Sequence, residues 1–459
     1  MLQYRYGFLC HHKAEAMAGS WPGMPVSFVR HDVQDFVIWL HPETRLEVVA
    51  HAAGDIVVLG DAYCHSGMDL QARLAGLEWS DPWPGIDDLG GRFAILFLSG
   101  ASIRAANDPF GSRMVFYAPD RMAIASHSAL LAGALGIERS EPVAAFMASA
   151  EYKSRTVGYL PGDLTIFSNM FALVPNNYWD GQGTHRYWPR GPMTPTSRKD
   201  FLSASMSYFE AFHPFIQARY TPVFGITGGI DSRAGFAPFA DDFLGMTWTR
   251  PLKDDERPII SEIVSKLGVE HVRIDPSEYR PGEISRAAGS AGGGMRSGRR
   301  TYVEGMAKEF GGANNVFIRG YGGEILRGFP IYQKRNNVFS HTAMTYTYST
   351  SMRGTEKGKD YLAFCHEAFE GFWRRANYDG IDRFGYKVWD LFYWEHRMGM
   401  WGASMLNEMD PTVYSMVAFN SRPLYEAGFG LTDNERLTKE LLNDVVRMYS
   451  QELADIPYT

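Results

Sequence analysis

The chain is poor in cysteine, in long apolar runs and in net charge. Its three cysteines, Cys10, Cys64 and Cys365, lie far apart in 459 residues and match neither a metal-ligand spacing nor a disulfide framework. That excludes a small disulfide-stapled secreted fold and fits a reducing compartment. No apolar run approaches membrane-spanning length, and no cationic segment with an apolar core and cleavage site opens the sequence. The expectation is a cytoplasmic protein with no membrane partner. A formal net charge of −7 supplies no broad basic surface for nucleic acid, so any anion must be held locally. None of the 13 histidines falls into a metal-ligand pattern.

What the chain does have is core-forming material: 45% hydrophobic and 14% aromatic residues, enough for large cores in two or three domains. The first part is dense in short apolar runs broken by Gly, Pro and Asp, such as Asp35 to Leu40, Asp55 to Leu59 and Arg92 to Leu98, which read as strands of stacked sheets. Pro189 to Asp200, PRGPMTPTSRKD, is the best boundary, dividing residues 1–195 from 196–459. Beyond it strands and helices alternate: Leu244 to Thr249, helix Glu256 to Leu267, His271 to Ile274, helix Tyr302 to Phe310, Asn315 to Arg319. Such alternation predicts a parallel sheet with helices on both faces, and ligands at the carboxyl ends of its strands. The remainder from Tyr332 reads as aromatic-rich and helical, most clearly over Lys387 to Met405.

Thr221 to Phe236, TPVFGITGGIDSRAGF, reads as an apolar strand, a Gly-Gly turn and a helix. Bare N–H groups at the positive end of such a helix suit phosphate. Gly228 and Gly229 let backbone approach the anion, Thr227 and Ser232 add hydroxyls, and Asp231 is placed to hold a metal ion. An ordinary tight turn capped by Asp231 has the same pattern. After Arg319 comes GYGGEILRGF, at the end of another strand of the same expected sheet, so the two loops are expected to meet.

GITGGIDSR, Gly225 to Arg233, resembles the pyrophosphate-binding loop of the asparagine synthetase superfamily. GGRFAILFL, Gly90 to Leu98, followed by Asn107 to Leu131, resembles the glutaminase-type domain that precedes it. The resemblance implies an α/β fold with an α+β first domain: a stacked-sheet, Ntn-hydrolase-like domain, then a parallel-sheet ATP-pyrophosphatase synthetase domain. Within the superfamily, Gly320-Tyr321-Gly322 and LNEMDP, Leu406 to Pro411, are similar to the β-lactam synthetase and lasso-peptide cyclase-like branch. That likeness implies Tyr321 and Glu408 as the pair that deprotonates an amine, Asp231 and Glu324 on Mg2+, and Arg436 near the α-phosphate of ATP. The implied activity is an AMP-forming ligase joining a carboxylate to an amine on a small molecule or peptide.

The sequence also departs from the family pattern. Met1 is followed by Leu2 where glutamine-dependent members carry a cysteine, so glutaminase activity is not expected unless processing were to expose Cys10. A family lysine near the other end has no counterpart in Ile456 to Thr459. Arg296, Arg299 and Arg300, in a Gly-rich stretch that could equally be a solvated loop, are candidates to clamp a substrate carboxylate. Arg397, among Trp389, Tyr393, Trp394 and Trp401, is another, although an aromatic stripe at this spacing is more often core. Two alternatives stand beside the ligase: an ammonia-dependent asparagine synthetase, and a nucleotide- or partner-binding homologue without catalysis.

Overall fold

The computed structural model describes residues 2–18, 27–249, 256–293, 300–312, 314–329, 332, 338–352 and 354–459. Its first part holds two antiparallel six-stranded sheets. One runs in the order 171–172, 116–117, 123–125, 8–12, 36–40, 29–33, and the other 184–186, 177–179, 102–107, 89–99, 54–64, 46–51. Alternate residues of the strands point to opposite faces. Phe8, Cys10, Ile38 and Leu40 of the first sheet therefore meet Val57, Leu59, Leu96 and Leu98 of the second in one buried cluster. Helix Ser128–Leu135 packs against the first sheet and helix Arg198–Gln217 against strand Gly54–Cys64 of the second. Cys10 sits mid-strand with partners on both sides, and burial pushes its thiol well up, which holds it protonated inside the sheet core.

The second part is organised on a parallel five-stranded sheet in the order His271–Ile274, Leu244–Trp248, Thr221–Gly225, Asn315–Arg319, Tyr414–Val417. Val223 and Phe317 turn to one face with Met246, Val303, Met306 and Phe310, while Phe224 and Ile318 turn to the other. Both faces are covered, which is why these strands read as near-continuous apolar runs. The chain leaves Thr221–Gly225 toward one edge and returns on its other side with Asn315–Arg319. The order reverses between these two strands, which is where ligands bind in open α/β sheets.

The fifth strand, Tyr414–Val417, lies inside the stretch read as helical. It pairs in parallel with Asn315–Arg319, and the apolar run YSMV looks the same in a buried strand as in a buried helix. Lys387 to Met405, read as one helix, is a short α-helix Val388–Phe392, a π-helical stretch Tyr393–Gly402 and an α-helix Ala403–Met409. Stretches of π-helix turn side chains out of α-register and are frequent at functional sites.

One backbone contact sets the distance between the two central loops. A Cβ on Gly320 would lie 2.7 Å from both Cα and N of Ser232 and 2.8 Å from the carbonyl carbon of Asp231. Those neighbours are backbone and cannot swing aside, so Gly320→Ala is expected to cost about 1–3 kcal/mol by overpacking. Urea denaturation monitored by circular dichroism reads the difference.

Candidate functional site

The loop after Thr221–Gly225 folds on itself before the helix Ile230–Phe236 begins. The helix is capped by Gly229 and not by the Asp231 side chain. The Gly229 N–H donates to Thr227 Oγ1 at 3.2 Å, and the Thr227 and Ser232 hydroxyls share a hydrogen bond of 2.7 Å. Thr227 is exposed, so these hydroxyls face the open side of the loop. Next to the loop, Gly322 takes φ of +95° and would place a Cβ 2.3 Å from the Phe419 carbonyl oxygen, a site only glycine fills. That turn starts helix Gly323–Arg327 and aims Glu324 at Asp231.

Between the loops lies a cavity of about 250 Å3. Its polar side is Thr227, Gly229, Asp231, Ser232, Arg319, Tyr321 and Glu324, and its apolar side is Met246, Trp248, Phe317 and Ile318. The structure thus brings together Thr227, Gly229, Asp231, Ser232, Tyr321 and Glu324 of the residues expected from sequence, with Gly228 in the same turn.

The two carboxylates differ in surroundings. Asp231 is gripped by Arg327 through two hydrogen bonds of 2.9 Å, an arrangement a carboxylate and a guanidinium form readily. Glu324 has one oxygen, Oε2, buried without a hydrogen-bond partner. Burial first, then the neighbouring Asp231 charge, raise its carboxyl to about 8. A buried acid held partly protonated for want of a cation is what a divalent ion would relieve. Among the described residues no cluster of three or more His, Cys, Asp or Glu forms, so these two could hold only part of a metal's shell, the rest being water or phosphate oxygen.

Tyr321 stands at the inner end of the cavity. Its hydroxyl accepts from Arg319 Nη2 at 2.9 Å, and its ring lies 5.7 Å from Trp401 and parallel to Phe110 at 6.3 Å. Glu408, on helix Ala403–Met409, is buried with its carboxylate close to Gly292. Arg397, in the π-helical stretch, lies over the ring of Trp401 at 4.0 Å and that of Tyr159 at 5.2 Å, within electrostatic reach of Glu324. It has no ion pair with a carboxylate among the described residues.

Arg436 is not brought to the cavity. It is 2% exposed, its guanidinium donates to the carbonyls of Leu326 and Ile325, and it pairs with Asp390. It braces the helix that carries Glu324 instead of meeting phosphate. Arg296 and Arg299 lie outside the described residues, and Arg300 is described only as the start of helix Arg300–Phe310.

Three residues were missed from sequence. Arg327 is one helical turn past Glu324, a position visible in GYGGEILR, but its partner Asp231 is distant in the chain. Arg319 closes the strand before Tyr321. Arg233, buried behind the loop, donates to the carbonyls of Leu453, Ile456 and Pro457, and the Thr459 N–H in turn donates to the Gly228 carbonyl at 2.9 Å. Segment Leu453 to Thr459 thus backs the loop, and Lys439 donates to the Thr459 carbonyl at 2.5 Å.

No protein-family model matches the chain, and no curated protein does. Among solved structures, the NAD+ synthetase from Burkholderia pseudomallei is similar at 14% identity, over 39% of this chain and 91% of that one, with a TM-score of 0.20. A likeness that slight carries no statement about this chain. No helix among the described residues is long and apolar enough to cross a membrane.

Two outcomes follow from the charges. Asp390→Ala strands Arg436 in the core, and urea denaturation is expected to show a loss of about 3–5 kcal/mol. Glu324 binds its proton more tightly folded, at about 8, than unfolded, near 4.5, so its contribution to stability falls as pH rises between those values. Glu324→Gln should gain on the wild type across that window, and the two should show no widening gap below it, as melting curves at stepped pH would reveal.

Proposed function

We propose that the chain is an ATP-dependent, AMP-forming ligase that joins a substrate carboxylate to an amine, in the manner of the asparagine synthetase superfamily and nearest to its β-lactam synthetase-like branch. The observation that supports this most is the meeting of the TGGIDS and GYGGE loops at the reversal of strand order, around a cavity with acids on one side and apolar groups on the other.

A substrate carboxylate oxygen attacks the α-phosphorus of ATP, and the bond to the bridging oxygen breaks, releasing pyrophosphate and leaving an acyl-adenylate. Backbone N–H groups around Gly228 and Gly229, with the Thr227 and Ser232 hydroxyls, receive the charge that grows on the leaving pyrophosphate. Met246, Trp248 and Phe317 offer an apolar surface of the kind that accepts a purine. Asp231 and Glu324 would hold Mg2+, which supplies charge neutralisation at the phosphates. An amine nitrogen then attacks the acyl carbon and AMP leaves with the electron pair of the broken C–O bond. The amine proton passes to the Tyr321 hydroxyl, oriented by Arg319, as that hydroxyl gives up its own proton; the carboxylate that takes it in this reading is Glu408. Arg397, a guanidinium without a carboxylate ion pair among the described residues, receives an anionic group of the substrate. The first part is read as a glutaminase-type domain.

Exchange of labelled pyrophosphate into ATP, measured against common amino acids and short peptides, tests the reading. Exchange should depend on the added acid and fall at least 100-fold in Asp231→Ala. Tyr321→Phe should keep exchange and lose amide formation by about 100-fold or more. Exchange that needs no acid and persists in Asp231→Ala would overturn the mechanism. A product one water lighter than a single substrate identifies an internal amine, a need for a second substrate an external one.

A further inference from the structure

We propose that Arg92, in the first part of the chain, is a positioning residue for the proton-accepting side of the site, holding helix Ala403–Met409 and its Glu408 in place; this rests on the ligase reading above.

Arg92 is fully buried in strand Leu89–Ser99. A guanidinium has five N–H donors, and here each has an acceptor. Nε donates to the Ser112 carbonyl at 3.1 Å. Nη1 donates to Asp410 Oδ1 at 2.5 Å and to the Ser415 carbonyl at 3.1 Å. Nη2 donates to Asn407 Oδ1 at 2.9 Å and Asp410 Oδ2 at 2.8 Å. Four of these five bonds end on residues 407–415. Asn407 closes the loop from its other side, donating to the Ser126 carbonyl at 3.2 Å. Asn407 and Asp410 flank Glu408, so the proposed carboxylate partner of Tyr321 is held between two side chains tied to the first part.

Tyr321 is held from the same direction. Phe110 lies parallel to its ring, at 9° between planes, and the Phe110 N–H donates to Asn420 Oδ1 at 2.8 Å. Apolar packing would join the two parts at lower desolvation cost, since a buried guanidinium and carboxylate lose several kcal/mol of hydration each. What apolar packing lacks is direction. Five aimed hydrogen bonds fix the rotation and the axial position of the helix end, and proton transfer tolerates little misplacement.

Because no Arg92 hydrogen bond ends on the loops that hold Asp231 and Glu324 and four end on residues 407–415, changing Arg92 should separate the two half-reactions. Arg92→Lys keeps the charge beside Asp410 but has three donors instead of a fork. With the acid that gives the strongest pyrophosphate exchange in the wild type, the variant should keep exchange within about threefold and the KM for ATP within about twofold. Amide-forming turnover should drop at least about 30-fold, with the acid limb of its pH profile displaced. If both half-reactions fall by the same factor, Arg92 is only structural and the inference is overturned. If Arg92→Lys does not fold, Asn407→Leu, close in volume and lacking the bonds to Arg92 and Ser126, is read by the same criterion. A wild type that exchanges with no acid overturns the ligase reading and this inference with it, whereas equal losses against an exchanging wild type overturn this inference alone.

Discussion

The site depends on how closely two neighbouring parallel strands let their loops approach. Parallel strands lie about 4.8 Å apart, and loops leaving adjacent carboxyl ends diverge unless one has no side chain at the contact. Gly320 meets that condition against the backbone of Asp231 and Ser232. Once the loops touch, Asp231 and Glu324 line the same cavity, and the Asp231 charge bears on the Glu324 carboxyl. Burial first, and the nearby Asp231 charge second, raise the Glu324 carboxyl to about 8, so the close approach at Gly320 contributes to an electrostatic property of the site.

That property draws on every cation nearby. Arg327 satisfies Asp231 and leaves Glu324 with its buried oxygen unmet. Arg436 is spent on bracing the same helix from below. Arg397 remains, over two aromatic rings and without an acid partner among the described residues. Arg397 is not part of the cavity lining, and it acts on Glu324 through its charge without pairing with it.

How much of this was legible in sequence follows from what each element buries. The parallel strands around Phe224, Met246 and Phe317 showed themselves because burial on both faces writes continuous apolar runs, and the glycine pairs that end two of them mark close backbone approach. Tyr414–Val417 was hidden because its run lies among helices equally apolar. The π-helical stretch was hidden for a different reason: one added residue per turn leaves composition unchanged. Arg436 was misplaced because an arginine that meets phosphate and one locked to a buried aspartate look alike until the partner is known, and Asp390 is not its neighbour in sequence. The same holds for Asp231, whose loop was readable and whose guanidinium partner was not.

The first part of the chain takes on a different meaning in this light. Cys10 is a core thiol between paired strands, so nothing about the two stacked sheets equips them for nucleophilic chemistry there. Yet the same part of the chain sends Arg92 from a sheet strand, and Phe110 and Tyr159 from segments outside the strands, to the segments that carry Glu408, Tyr321 and Arg397. A contact that only joins two parts of a chain needs no more than apolar surface. Here it carries a saturated guanidinium and a bidentate ion pair, which tolerate little drift. The first part therefore supplies polar partners to the segments that carry Glu408, Tyr321 and Arg397, and aimed hydrogen bonds as well as apolar packing join it to the second.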